Sequence, residues 1–346
     1  MKRTIVISDV HMSDGDDRYC WFSPSDSENL GILLNAISIP SAGVEELIFL
    51  GDLFDLWLYP VDVVPWTVNQ IIDKNSLVRD AIRKCVKDIP KVCYMNGNHD
   101  MTVTEGDLEP LNFSLEKRIQ IINTDGYKKD HEGRRHFEHG QAADIFNAKP
   151  EKNEDTIEGL PLGYFLTRLT AGAQPGIWQT LRKICQDFLV GLFGVLKAEE
   201  SLKTSFTGPL LVKLLINGIQ LQTSIDDDTR IRFAESDLDE KYTVGDIKEH
   251  YGDLLAIWQE KYSGLDLLGS MFASRGFGGG LKWYADKILS SEIPPKLVVM
   301  GHTHQFIVDH NGYSNDGAFC GSENLSCLEV IDDKTAVIAR LVTERH

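Results

Sequence analysis

The chain has 346 residues, 42% hydrophobic and 25% charged, the composition of a globular protein able to bury a substantial core. Its formal net charge of −17 repels phosphate backbones and anionic lipid, which disfavours nucleic acid and membrane surfaces as extended partners. A small phosphorylated ligand stays compatible, because bound cations would dominate the field inside a site. Met1-Lys2-Arg3 leads directly into a strand, without an apolar leader and cleavage site, and the longest apolar stretch, 189–196, is too short to span a bilayer. Six cysteines, at 20, 85, 93, 185, 320 and 327, form no C-x-x-C pair and no framework spacing. The expectation is a cytoplasmic protein with reduced thiols and no transmembrane segment.

The first part of the chain alternates strand and helix signals. Residues 4–9 read as a short apolar strand, and 29–39 place Leu30, Leu33, Leu34 and Ile37 on one helical face. A second strand over 46–50 ends in Gly51-Asp52. One long helix is predicted over 65–87, through Val68, Ile71, Ile72, Val78, Ala81, Ile82 and Cys85, followed by a strand over 91–96. Residues 127–129 and 135–138, around Glu132-Gly133, read as a hairpin. Beyond Pro150 the signals turn helical, at 160–171, 177–197, 209–223, 244–262 and 281–290, with loops at Asp226-Asp227-Asp228 and Gly276–Gly280. Strand patterns resume at 296–300, 306–309, 325–331 and 336–342, with turns at Asn311-Gly312 and near Asp332-Asp333, and the last of these read as antiparallel sheet. The domain expectation is an α/β core formed by 1–150 and 292–346, interrupted by a helical insert over 151–291.

Five short blocks close strand patterns in this core: Ser8-Asp9-Val10-His11, Gly51-Asp52, Gly97-Asn98-His99-Asp100, Glu138-His139-Gly140 and Gly301-His302-Thr303-His304. A Gly-Asp turn or a lone histidine is ordinarily structural. Five such blocks at strand ends point instead to one site outside the carboxyl ends of a sheet. Oxygen and imidazole donors aimed from there can hold two divalent cations a few Å apart, a pair suited to phosphoryl transfer.

This series resembles the calcineurin-like metallophosphoesterase superfamily, over both flanks of the chain but not the insert. The resemblance implies an α/β (α+β) fold of two packed mixed β-sheets flanked by helices, in four layers, here with a large helical insertion. It also implies a first metal on Asp9, His11, Asp52 and His304, and a second on Asp52, Asn98, His139 and His302. Asp52 bridges, since a carboxylate can serve a cation with each oxygen. The O/N donor set suits Mn²⁺ first, with Fe or Zn²⁺ as alternatives, and no thiolate in it demands a soft metal. The reaction implied is hydrolysis of a phosphate ester by water shared between the cations. His99 stands where the family has a non-ligand histidine facing the leaving group, able to donate a proton. Its orienting carboxylate is Asp55 or Asp100; Asp55 is favoured, from its likeness to the second aspartate of a Gly-Asp-x-x-Asp motif.

The substrate stays open between a phosphomonoester, on a small molecule or a phosphoprotein, and a phosphodiester or UDP-sugar lipid pyrophosphate. Leu56-Trp57 and Asp100 depart from the serine/threonine phosphatases. Gly51–Trp57 looks more like the lipid-pathway UDP-diacylglucosamine pyrophosphatases, which are shorter and carry an acidic residue where Gln141 stands. Glu138-His139-Gly140 followed by Asp144–Asn147 resembles uncharacterised bacterial members. For the insert, the expectations are a self-contained helical cap, a roof selecting substrate, or an apolar groove using Trp178, Phe188, Phe193, Trp258 and Phe272. Arg134, Arg135, Arg168, Lys183 and Arg275 are candidate anion contacts. A catalytically silent scaffold would show broken ligand positions, and a nuclease would show a basic, aromatic stripe. This chain has neither feature.

Overall fold

The structure, a computed structural model, describes residues 3–122, 127–129, 134–149, 156–171, 208–254, 261, 266, 269–270, 273, 280–309, 311–321, 324–331 and 335–342. It divides into two compact units. The first comprises Met1–Leu56, Trp66–Asp144 and Phe272–His346; the second comprises Trp57–Pro65 and Ile145–Met271.

In the first unit, β1 (Arg3–Ile7), β2 (Val44–Leu50), β3 (Lys91–Met95) and the short β4 (Gln120–Ile121) run parallel. β10 (Asn324–Ile331) and β11 (Thr335–Val342) extend this sheet antiparallel, giving the order β11-β10-β1-β2-β3-β4. A second mixed sheet has the order β5-β6-β7-β9-β8, built from Tyr127–Lys129, Arg135–Glu138, Leu297–Met300, Tyr313–Asp316 and Phe306–Asp309 respectively. Here β6, β7 and β9 are parallel neighbours, and β5 and β8 are antiparallel edges.

The central strands are near-continuous apolar runs because both their faces are covered. Val6, Ile48, Leu50, Cys93 and Met95 of the first sheet share one core with Phe137, Leu297 and Val299 of the second. The first sheet's opposite face packs on α1 (Pro24–Ile37) and α3 (Ser76–Asp88) through Leu30, Leu34, Val78, Ala81, Ile82 and Cys85. That i, i+3, i+4, i+7 spacing is the amphipathic pattern read in the sequence. The second sheet's outer face packs on Ala285 of the 282–289 helix and on Leu281 at its N-cap, beside Val298, Met300 and Tyr313. That helix therefore belongs to the first unit, not to the insert where the sequence pattern placed it.

Two other expectations change. The predicted 65–87 helix is two helices, α2 (Val68–Lys74) and α3, because Asn75 leaves helical geometry and its amide donates to the Ser13 carbonyl at 3.0 Å. The α2 start is fixed by a Thr67–Gln70 capping box. Strand β9 was absent from the prediction because Tyr-Ser-Asn-Asp has little strand propensity, yet all four residues are buried.

The second unit includes α4 (Leu162–Thr170), α5 (Gly208–Gln220) and α6 (Val244–His250). Helix α4 is buried throughout, and Arg168 on it is 1% exposed. Its guanidinium donates to the carbonyls of Tyr59, Pro60, Val63 and Arg232 and to the Tyr164 hydroxyl, at 2.7–3.0 Å. A buried charge is tolerable only when its donors are satisfied. Arg168 is thus a backbone clamp and not an anion contact. The predicted 177–197 helix, Trp178, Lys183, Phe188, Phe193, Trp258, Phe272 and Arg275 lie outside the described residues. The helix predicted over 244–262 ends at His250, because Tyr251 leaves helical geometry and a turn follows.

Candidate metal centre

The five motif blocks follow the carboxyl ends of β1, β2, β3, β6 and β7, which are parallel within their sheets. Backbone hydrogen bonds knit the first two together: Asp9 N–H to Gly51 O at 3.2 Å, and Val10 and His11 N–H to Asp52 O at 2.9 Å. Asp9, His11, Asp52, His302 and His304 have φ between 51° and 69°. Among the described non-glycine residues only Glu158 and Glu240 share that sign. Left-handed backbone at L-residues is costly and gathers at functional sites. Glycine is required at two neighbouring positions: a Cβ on Gly51 (φ 93°) would stand 2.5 Å from the His139 ring, and one on Gly97 would strike the Asp52 side chain.

The donors converge as two groups. In the first, His11 Nε2 lies 3.2 Å from His304 Nε2, and His304 Nε2 lies 3.2 Å from Asp9 Oδ1. In the second, His302 Nδ1 lies 3.0 Å from Asn98 Oδ1, and the donors of Asp52, His139 and His302 fall within 4.8 Å of one another. Asp52 Oδ2 belongs to both, 3.8 Å from His11 Nε2 and 3.2 Å from His139 Nε2. All these side chains are buried except His304, which is half-buried. Asp9 Oδ1 and His139 Nε2 are buried yet accept or donate no hydrogen bond. Such atoms are costly unless something satisfies them, and divalent cations among these donors would do so. The residues fit two cations.

The remaining ring nitrogens are held from behind. His11 Nδ1 meets Asp55 Oδ2 at 3.0 Å, His139 Nδ1 meets Leu50 O at 2.8 Å, and His302 Nε2 meets Asp144 Oδ2 at 3.0 Å. Such partners fix the tautomer and aim the opposite nitrogen at a metal. The other Asp55 oxygen lies 2.9 Å from His99 Nδ1, while the His99 backbone N–H donates to Asp52 Oδ1 at 2.8 Å. Of the two carboxylates open for His99, Asp55 is the one paired with it. Asp100 instead accepts from the backbone N–H groups of Asp52, Leu53 and Gly97 and from the Tyr94 hydroxyl, locking two motif loops together.

Electrostatics match this layout. Burial alone would raise the Asp9, Asp52 and Asp55 carboxyls, but the surrounding histidines hold all three below the ordinary range. Burial would lower His139; Asp52 and Asp9 push it up to about 10. His99 is likewise raised against burial, by Asp55 and then Asp52. Burial pushes Asp316 up to about 8, aided by Asp9, which it reaches through the Ser8 hydroxyl.

Four residues of the site stand outside the five motif blocks. Asp144, which opens the 144–147 stretch read after the His139 block, lies five residues after His139, and only the fold brings it to His302. Asp316 lies on the unpredicted strand β9. Trp21 sets its ring against His11 at 4.8 Å, His304 at 5.6 Å and His99 at 5.7 Å. The fourth is Cys320, whose sulfur groups with the His11 and His304 nitrogens. No protein-family model matches the chain, and no curated protein matches it.

Proposed function

We propose that the chain is a dinuclear metal-dependent phosphoesterase with the four-layer fold of the calcineurin-like superfamily and a helical insertion, acting most readily as a phosphomonoesterase. The observation that carries this reading is the pair of buried donor groups sharing Asp52. Two divalent cations of the Mn²⁺, Fe or Zn²⁺ type would supply Lewis acidity, polarising the phosphoryl group and acidifying the attacking water. Asp9, His11, Asp52 and His304 would hold one, and Asp52, Asn98, His139 and His302 the other. His99, oriented by Asp55 and raised in basicity by it, donates a proton to the departing alkoxide oxygen. Asp144 and Leu50 keep His302 and His139 in the tautomers that leave a lone pair facing the centre. Among the described residues no helix is long and apolar enough to cross a membrane, which accords with a phosphorylated substrate met in water.

The test is turnover of metal-loaded protein on p-nitrophenyl phosphate, bis-p-nitrophenyl phosphate, phosphopeptides and UDP-sugar lipids, each with and without chelator. Chelator-sensitive hydrolysis of the monoester above the diester supports the reading; preference for the diester or pyrophosphate would move it to the alternatives. His99→Ala should lose roughly 10²–10⁴-fold in kcat on alkyl phosphates and far less on p-nitrophenyl phosphate, whose leaving group needs no proton. Equal losses on both would remove the proton-donor role.

A further inference from the structure

Cys320 lies in the loop between β9 and β10. Phe319 N–H donates to the Asp9 carbonyl at 3.0 Å, tying this loop to the first donor of the site. Gly317 and Gly321 bracket it with φ of 81° and 59°. The Cys320 side chain is 4% exposed and forms no disulfide. Its sulfur and the imidazole nitrogens of His11 and His304 all lie within 4.8 Å of one another.

Burial by itself means little, since cysteine commonly serves as a small apolar core residue. A second observation concerns the same spot. Asp9 Oδ1 is fully buried without a hydrogen bond and stands 3.2 Å from His304 Nε2 and 4.0 Å from His11 Nε2. The carboxylate oxygen and the sulfur thus each approach the same two histidines. Zinc–sulfur and zinc–nitrogen bonds of about 2.3 and 2.0–2.1 Å put such donors about 3.5 Å apart around one ion.

Resting on the dinuclear reading above, we propose that Cys320 is a further donor to the first cation and that this position takes a thiophilic ion, Zn²⁺ foremost. The thiol gives its proton to solvent as the sulfur–metal bond forms. A set of Asp9, His11, Asp52, His304 and Cys320 favours Zn²⁺ or ferrous iron over Mn²⁺, which prefers oxygen donors. The second position, with Asp52, Asn98, His139 and His302, contains no sulfur. The two positions therefore differ in metal preference, which the O/N set read from sequence did not show.

Cobalt substitution tests this without reference to turnover. Co²⁺ added to metal-free protein should give visible ligand-field bands together with a sulfur-to-cobalt charge-transfer band in the near ultraviolet. Cys320→Ser should lose the charge-transfer band and keep the visible ones, whereas Cys20→Ser should keep both. Loss of an outer-shell partner already costs ~10–100-fold in metal affinity, so loss of a direct donor should weaken Zn²⁺ by at least about tenfold and leave Mn²⁺ almost unchanged. Visible bands without charge transfer in the unmodified protein would overturn the thiolate and leave the phosphoesterase reading standing. A charge-transfer band surviving in Cys320→Ser would also overturn it. Failure to bind Co²⁺ at all would overturn both.

Discussion

On the dinuclear reading proposed above, replacing Asp144 should distinguish the two metal positions through a residue that is a donor to neither. The Asp144 carboxylate lies 3.0 Å from His302 Nε2, and both side chains are buried. A hydrogen bond to a charged group is worth ~1.5–3 kcal/mol and one between neutral groups ~0.5–1.5 kcal/mol. Asp144→Ala removes the whole interaction and frees the imidazole to rotate or change tautomer. At ~1.4 kcal/mol per tenfold, it should weaken the second metal by about 10–150-fold. Asp144→Asn keeps an acceptor oxygen but loses the charge, so its cost should be about half as large in free energy. The first metal should change little, because His11 depends on Asp55. Calorimetric titration of Mn²⁺ and Zn²⁺ into metal-free protein, with two affinities resolved, provides the measurement. Equal weakening of both positions, or a larger loss for Asn than for Ala, would refute the assignment of Asp144 as the support of His302.

Asp52→Asn should lower bound metal from about two ions to one or fewer, since Asp52 serves both groups, while Asn98→Ala should empty only the second; elemental analysis after desalting checks both. Asp55→Asn removes the charge that most raises His99, so the alkaline limb of kcat/KM on an alkyl phosphate should move to lower pH. An unmoved limb would assign it to another group. In metal-free protein Asp316 keeps its proton up to about pH 8, whereas in the unfolded chain it ionises near 3.8. The unfolded state therefore binds fewer protons across that window, and stability falls as pH rises through it. Asp316→Asn should reduce the decline in Tm between pH 5 and pH 8; parallel declines in both proteins would show that Asp316 does not titrate as described.

What was legible in the sequence follows from the range of the forces involved. The strands that carry the candidate donors are short apolar runs, each followed directly by its motif block, and in two of them Gly51 and Gly97 admit a neighbouring side chain, so the pattern is local. The same holds for the α1 and α3 stripes. Asn75 breaks the predicted long helix through a contact with Ser13, which no window around residue 75 contains. β9 is polar in sequence and buried only because it enters between β7 and β8. Asp144 and Cys320 come to His302, and to His11 and His304, from loops distant in the chain, and Asp316 comes to Asp9 through Ser8, whereas Trp21 follows His11 by ten residues. Asp100 shows the converse: its place beside His99 suggested a partner, yet its carboxylate points to backbone N–H groups of two loops. The candidate donors were readable as blocks because they close strand patterns, and five of them, Asp9, His11, Asp52, His302 and His304, stand on left-handed backbone. Their outer partners were not, because a carboxylate beyond the adjacent strand, as Asp55 is to His11 and Asp144 to His302, satisfies a histidine as well as one next to it in the sequence.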